Sequence, residues 1–247
     1  MTRILQTSIP FNPLEERPLP GIQPASMDSW LHCDDAFAAQ MQHREQLLSS
    51  RRSDVLALDP AAIPASQELL DIVLAQVYPG SSDYVTRPDG QSVLVDRDRP
   101  LDTLCKLVQE DFCILQKQGD AHVLTGAILC FPASWTLSEK FMRPLIDIHI
   151  PVDSYDENIA RRVQRLFDGI QPGRPLWRFN ALWYEDAELH QPRSANERRD
   201  PQTAGSAQYL RSERQVLLRL PQTQAVVFSI HTYVLAAELV AQMENPA

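Results

Sequence analysis

An α+β fold built on a mostly antiparallel sheet is the architecture this sequence predicts, and three observations lead there. At least four helical and five strand-like segments follow one another without regular βαβ alternation. Tyr209–Leu220 and Ala225–Leu235 both alternate in polarity and are separated only by Pro221–Gln224, which reads as a hairpin. Glycine supplies only 8 of 247 residues, and there is no G-x-G, no G-x-x-x-x-G-K-[ST] and no G-x-S-x-G. The glycine loops of dinucleotide folds, P-loop enzymes and the common nucleophile elbow are therefore missing.

The elements follow in order. Residues 1–25 hold Pro10, Pro13, Pro18, Pro20 and Pro24 and read as an extended arm on the domain surface, with disorder as the alternative. Residues 26–247 read as one domain. Asp34 is placed to cap a helix running to about Ser50, with Phe37, Met41 and Leu48 on one face. Ser66 is placed to cap a second, striped by Leu69, Leu70, Val73, Leu74 and Val77 and stopped before Pro79. Ser92–Asp96 reads as a short strand. Leu104, Val108, Phe112 and Leu115 recur at helical spacing, so Leu101–Gln116 reads as one amphipathic helix. Ala121–Phe131 reads as a buried strand. Thr136-x-x-Glu139 and Ser154-x-x-Glu157 are capping boxes opening two further helices, the first ended or kinked by Pro144. Between them, Ile146–Val152 alternates like a strand, although the end of the preceding helix fits equally. Trp177–Tyr184 reads as a strand and residues 190–207 as a polar loop.

Composition narrows the function. Hydrophobic residues make up 44% and charged residues 22%, as in a packed globular protein, and the net charge is −9 with a sequence pI near 5.1. Such a balance argues against nucleic acid as a partner. No apolar signal segment opens the chain and no stretch reads as a membrane span, so a cytoplasmic protein is expected. Cys33, Cys105, Cys113 and Cys130 include no C-x-x-C, which disfavours a zinc ribbon and covalent haem attachment. They are expected to be reduced and buried.

Two histidines stand out. His149 and His231 lie in strongly apolar segments, whereas His32, His43, His122 and His190 lie in polar surroundings and read as surface residues. An apolar-segment histidine is either a hydrogen-bonded core residue, a metal or haem ligand, or an acid/base. The region 131–178 also holds the ingredients of a haem slot. Phe131, Trp135, Ile146, Ile148 and Ile150 offer an apolar wall, and Arg143, Arg161, Arg162, Arg174 and Arg178 offer cations for carboxylates.

Six ordered strings are more specific than their periodicity: Leu107-Val-Gln-Glu-Asp-Phe-Cys-Ile-Leu115, Phe131-Pro-Ala-Ser-Trp-Thr-Leu-Ser-Glu-Lys140, Arg143-Pro-Leu-Ile-Asp-Ile-His-Ile-Pro-Val152, Pro172-Gly-Arg-Pro-Leu-Trp-Arg-Phe-Asn180, Arg211-Ser-Glu-Arg-Gln-Val-Leu-Leu-Arg-Leu-Pro221 and Val227-Phe-Ser-Ile-His-Thr-Tyr233. Together, from about Gly21 to Leu235, the chain resembles the haem-dependent oxidative N-demethylase family, formerly a domain of unknown function. The resemblance implies a PAS-like antiparallel sheet flanked by helices and holding haem b. It also implies the oxygen-dependent removal of a methyl group, as formaldehyde, from a small amine such as dimethylamine. Electrons then come from NADPH through flavin and an iron–sulfur cluster on separate reductase subunits. Carried onto this chain, His149 matches the histidine of the I-H-x-P-V block and is the expected iron ligand. Its other ring nitrogen then needs an acceptor. Arg143, Arg178 and Arg214 match basic positions suited to haem propionates. Glu110, Asp111 and Glu213 sit in matched blocks, and one of them, Glu213 first, is expected to meet a dialkylammonium substrate. His231 stands where the family more often has Arg, which leaves it as a second candidate for the haem. The alternatives are a non-catalytic PAS-like haem sensor or ligand-binding module, and a scaffold that has lost haem.

Overall fold

The structure, a computed structural model, describes residues 3–18, 20–133, 135–149, 157–194, 197 and 207–244, with the backbone alone for 149 and 157–161. The helices are α1 (Phe37–Ser50), α2 (Arg52–Val55), α3 (Ile63–Val77), α4 (Pro100–Leu107), α5 (Leu137–Lys140), α6 (Leu145–His149), α7 (Glu157–Gly169) and α8 (Ala237–Glu244). The strands are β1 (Gln23–Pro24), β2 (Leu56–Leu58), β3 (Tyr84–Thr86), β4 (Ser92–Leu94), β5 (Asp111–Gln118), β6 (Ala121–Ile128), β7 (Leu176–Tyr184), β8 (Tyr209–Arg219) and β9 (Val226–Ala236). Seven strands form one antiparallel sheet in the order β1-β7-β8-β9-β5-β6-β2, and β3 and β4 form a separate hairpin. This is the α+β, PAS-like sheet flanked by helices.

The β8–β9 hairpin sets the register of the sheet, pairing Tyr209 with Ala236 at one end and Arg219 with Val226 at the other. Its turn is held from outside. The buried carboxylate of Glu68 on α3 accepts the backbone N–H groups of Gln222 (2.6 Å) and Thr223 (2.8 Å) and the Thr223 hydroxyl. Alternation then sorts the side chains onto two faces. One face buries Phe112, Ile114, Val216, Leu218 and Val227 against α3 and α4. The opposite face buries Cys113, Leu115, Leu217, Val226 and Ile230 against Leu137 of α5, Leu145 of α6, and Phe167 and Ile170 at the end of α7.

Several sequence expectations are corrected. The single helix over Leu101–Gln116 ends at Leu107, Val108 is extended, and Asp111 begins β5. Asp111–Leu115 is buried on both faces at the centre of the sheet, so it carries no alternation to distinguish it from a helix. Of the two readings of the segment from Ile146, the helical one holds through His149, and residues 150–156 lie outside those described. The helix expected from Ser66 begins at Ile63, and the Ser66 hydroxyl instead donates to the Ile63 carbonyl. Asp34 does not cap α1; it accepts the Ala36 N–H in the turn before it. Thr136 forms no side-chain cap, because its hydroxyl donates to the Arg193 carbonyl. The Ser154 box lies outside the described residues.

The arm is built into the fold. Gln6, only 2% exposed, pairs with Val234 through its backbone N–H and its side-chain oxygen. Phe11 packs against Trp177, Phe179 and Tyr233. All four cysteines are free, and Cys33 is exposed rather than buried. No described helix is long and apolar enough to cross a membrane.

Candidate functional site

The candidate residues fall into two separate groups. The first is a charged cluster beneath the arm. His231 points from β9 to the arm-covered face and is 1% exposed. Its Nδ1 lies 3.0 Å from Glu110 Oε1 and its Nε2 lies 3.0 Å from Asp34 Oδ2. Burial pushes this imidazole towards neutrality, but the hydrogen bonds to Asp34 and Glu110 outweigh it and raise its pKa to about 9. His32 shows the opposite balance: burial first, then the Arg214 and His231 charges, lower it to about 4. Glu110 also accepts the His32 backbone N–H at 2.6 Å. Its other oxygen is buried with no partner among the described residues. With both ring nitrogens facing carboxylates, His231 has no lone pair free for iron. Arg214 lies on the same face, donating to the Trp30 and Ser29 carbonyls and stacking over Trp177.

Asp111 is likewise engaged. Arg44, fully buried on α1, donates to it at 2.5 Å, and Asp111 accepts the backbone N–H groups of Cys130 (2.8 Å) and Phe131 (2.7 Å). Arg44 further donates to the Cys105, Gln109 and Glu110 carbonyls. The pair fixes where the chain leaves β6 for the next segment.

The second group lies on the opposite face, which α5, α6 and α7 cover. Leu176, Arg178 and Asn180 of β7 share a side, as do Arg211, Glu213, Gln215 and Leu217 of β8. Arg178, Asn180, Glu213, Gln215 and Phe228 are all half-buried. Glu213 Oε2 accepts from Asn180 Nδ2 and Gln215 Nε2, each at 3.2 Å, while Oε1 is 3.5 Å from Arg211. Arg211 is itself fixed by the Phe131 and Leu189 carbonyls. Arg178 has no carboxylate contact among the described residues. Burial lowers its pKa, with only the more distant Glu213 charge acting against that. Its Nε is buried and lacks a hydrogen-bond partner among the described residues. Arg178 and Asn180 also line a cavity of about 390 Å³ at the β7 edge, together with Leu14 and Arg17 of the arm.

His149 closes α6, and its side chain lies outside the described residues. Its placement is set by neighbours: Pro144 opens the helix, and the buried Lys140 ammonium donates to the Ile148 carbonyl at 2.8 Å. Arg143 is exposed, its backbone carbonyl pairing with Leu124. Arg162 and Arg174 are exposed too, and the Arg161 side chain lies outside the described residues. The structure thus brings Arg178 and Glu213 to one face and places Glu110, Arg214 and His231 on the other; Asp111 has the parity of Cys113 and Leu115 on the helix-covered face, but its carboxylate is taken up by Arg44 and the Cys130 and Phe131 N–H groups.

Sequence reading missed Asn180, Gln215 and Arg211 as the groups that hold Glu213, although strand parity alone places Arg211 and Gln215 beside it. It also took His122 for a surface residue. His122 is fully buried on β6 against Phe167, held by Gln164 at 2.8 Å. No local signal distinguishes it. A cavity of about 730 Å³ between α1, α4 and the β3–β4 hairpin contains none of the candidate residues and is lined in part by the Glu45–Arg87–Asp89 ion pairs.

A protein with this sheet order and with helices covering one face has the form of a PAS-like domain. Residues 21–247 match the family model described as haem-dependent oxidative N-demethylase, alpha subunit-like. The chain belongs to that family, across nearly its whole length.

Does the helix-covered face fit haem? Arg178 carries a charge that burial disfavours and an N–H without an acceptor among the described residues, which a propionate would satisfy. The surrounding Leu176, Leu217, Phe228 and Ile230 suit a flat apolar ring. The donor chemistry therefore fits the group.

Proposed function

We propose that this chain is the haem subunit of an oxidative amine N-demethylase, with haem b held on the helix-covered face of the sheet. The observation that carries this reading is Arg178, a partly buried guanidinium whose Nε–H has no partner among the described residues, beside the apolar Leu176, Leu217 and Phe228. His149 would supply the iron ligand, Arg178 would meet a propionate and Glu213 would bind the methylated ammonium substrate. When bound, haem supplies a redox-active iron at which oxygen is used. The overall balance is amine N–CH3 plus O2, two electrons and two protons, giving N–H, formaldehyde and water. NADPH delivers the electrons through flavin and an iron–sulfur cluster on separate reductase subunits.

The chain's own residues do the positioning. Asn180 and Gln215 hold one Glu213 oxygen, leaving the other towards Arg211 and the substrate side. An ammonium placed there gains a charge-assisted hydrogen bond. The Lys140 bond holds the last turn before His149.

Haemin titration tests the cofactor. The purified protein is expected to show a Soret band that His149→Ala weakens or shifts, and Arg178→Leu is expected to weaken haem retention about tenfold. A protein that stays colourless with added haemin sinks the reading. Formaldehyde release from dimethylamine under oxygen with a chemical reductant tests the activity, and none across a panel of methylamines would count against a demethylase.

A further inference from the structure

A haem subunit fed by separate proteins needs a face on which the electron donor docks, and α7 carries features of one. Its inner side packs Val163, Leu166 and Phe167 into the cluster on the candidate haem face. Its outer side exposes Arg162 and Arg165, and Arg174 follows in the next turn, also exposed. Among the described residues none of these three arginines has a carboxylate partner; Arg174 donates only to Gln171 Oε1 at 3.2 Å. Asp168, three residues after Arg165, is neutralised by Lys117 at 2.6 Å; the Glu157 side chain at the start of α7 lies outside the described residues.

The helix itself is firmly seated. Arg219 of β8 donates to the Phe167 and Ile170 carbonyls, each at 2.6 Å, so a cation closes its negative end. Gln164 is fixed by its bond to His122. The stripe is therefore presented by a helix held against the sheet at several points.

The setting makes the stripe distinctive. The chain carries a net charge of −9, which repels an acidic protein over most of its surface. Arg162 and Arg165 on α7 and Arg174 just after it, with no carboxylate partner among the described residues, reverse that sign locally beside the candidate haem face. We propose that the outer face of α7 and the turn after it, through Arg162, Arg165 and Arg174, docks an acidic one-electron donor of the iron–sulfur class. The proposal rests on the haem reading above for the purpose of the docking and on charge complementarity for its place. Such complementarity acts mainly on encounter rate and fades with salt.

The test uses the full chain, a plant-type [2Fe–2S] ferredoxin as acidic probe, and the double variant Arg162→Glu/Arg165→Glu. Both side chains are exposed, so the variant is expected to keep its melting temperature and its haemin spectrum. Direct ferredoxin binding is measured at low and high salt. In haem-loaded protein, anaerobic haem reduction by ferredoxin is compared with reduction by a small viologen. Binding and ferredoxin-driven reduction are expected to fall about tenfold in the variant and with salt, with viologen reduction unchanged. Ferredoxin binding that is equal in both proteins overturns the docking face, whether or not haemin is taken up. A protein that binds ferredoxin through these arginines but takes up no haemin overturns the haem reading instead.

Discussion

At the scale of single residues, the same side-chain type plays different roles according to what surrounds it. His231 is a buried cation because two carboxylates flank it, whereas His32 is neutral because burial and two cations act on it. The linkage for His231 has a definite sign. Its folded pKa, about 9, lies above its ordinary 6.5. Its stabilising contribution is thus complete below pH 6.5 and is lost as pH rises through 9. His231→Gln leaves Asp34 and Glu110 buried without their cation, and breaking such a pair costs about 3–5 kcal/mol. Urea unfolding should show that gap at pH 6 and a much smaller one at pH 9.5; a gap independent of pH would show that the imidazole is not charged in the fold. This role was hidden from the sequence because Asp34 and Glu110 come from distant segments. What the sequence did show was a histidine on the opposite strand face from Ile230 and Thr232, and that parity is what separates it from Glu213.

At the scale of elements, legibility followed the strength of local periodicity. β7, the β8–β9 hairpin, β6 and α3 were readable because their patterns matched a half-buried strand or an amphipathic helix. β5 was not, since a strand buried on both faces has no polarity period, and its Phe112 and Leu115 mimic helical spacing. α6 was ambiguous for a related reason: five residues after a proline are too few to separate the two periods. Turn chemistry was partly visible as Pro221–Gln224, but its anchor was not. Glu68 reaches the turn from α3, more than 150 residues away in sequence, and satisfies two backbone donors. Glu68→Ala leaves those donors without their acceptor, at a cost of about 1–3 kcal/mol. Hydrogen exchange at Gln222 and Thr223 should then accelerate markedly more than at mid-strand amides such as Val216. Uniform acceleration along β8 would mean the carboxylate stabilises the whole molecule rather than the turn.

At the scale of the whole molecule, the sheet divides labour between its faces. The arm-covered face carries the closed network of Gln6, Asp34, Glu110 and His231, together with the ring cluster of Phe11, Trp177, Phe179 and Tyr233. The helix-covered face carries Arg178, whose burial opposes its charge. Function and stability should therefore be separable by mutation. Phe11→Ala removes a half-buried ring at 4.8 Å from Phe179 and 5.8 Å from Tyr233. It is expected to cost about 2 kcal/mol, less than a fully buried phenylalanine, and to leave the haemin titration unchanged. Arg178→Leu should do the reverse. It removes a half-buried cation that burial disfavours and that has no carboxylate contact among the described residues, so the haem-free protein should melt at the same temperature or higher, while haem retention weakens. A stability gain coupled to a loss of binding is the signature of a residue kept for a ligand rather than for the fold. Thermal melts of the haem-free variants beside haemin titrations decide the matter: a lowered melting temperature for Arg178→Leu without haem would assign that arginine to the core and remove the observation on which the haem reading rests.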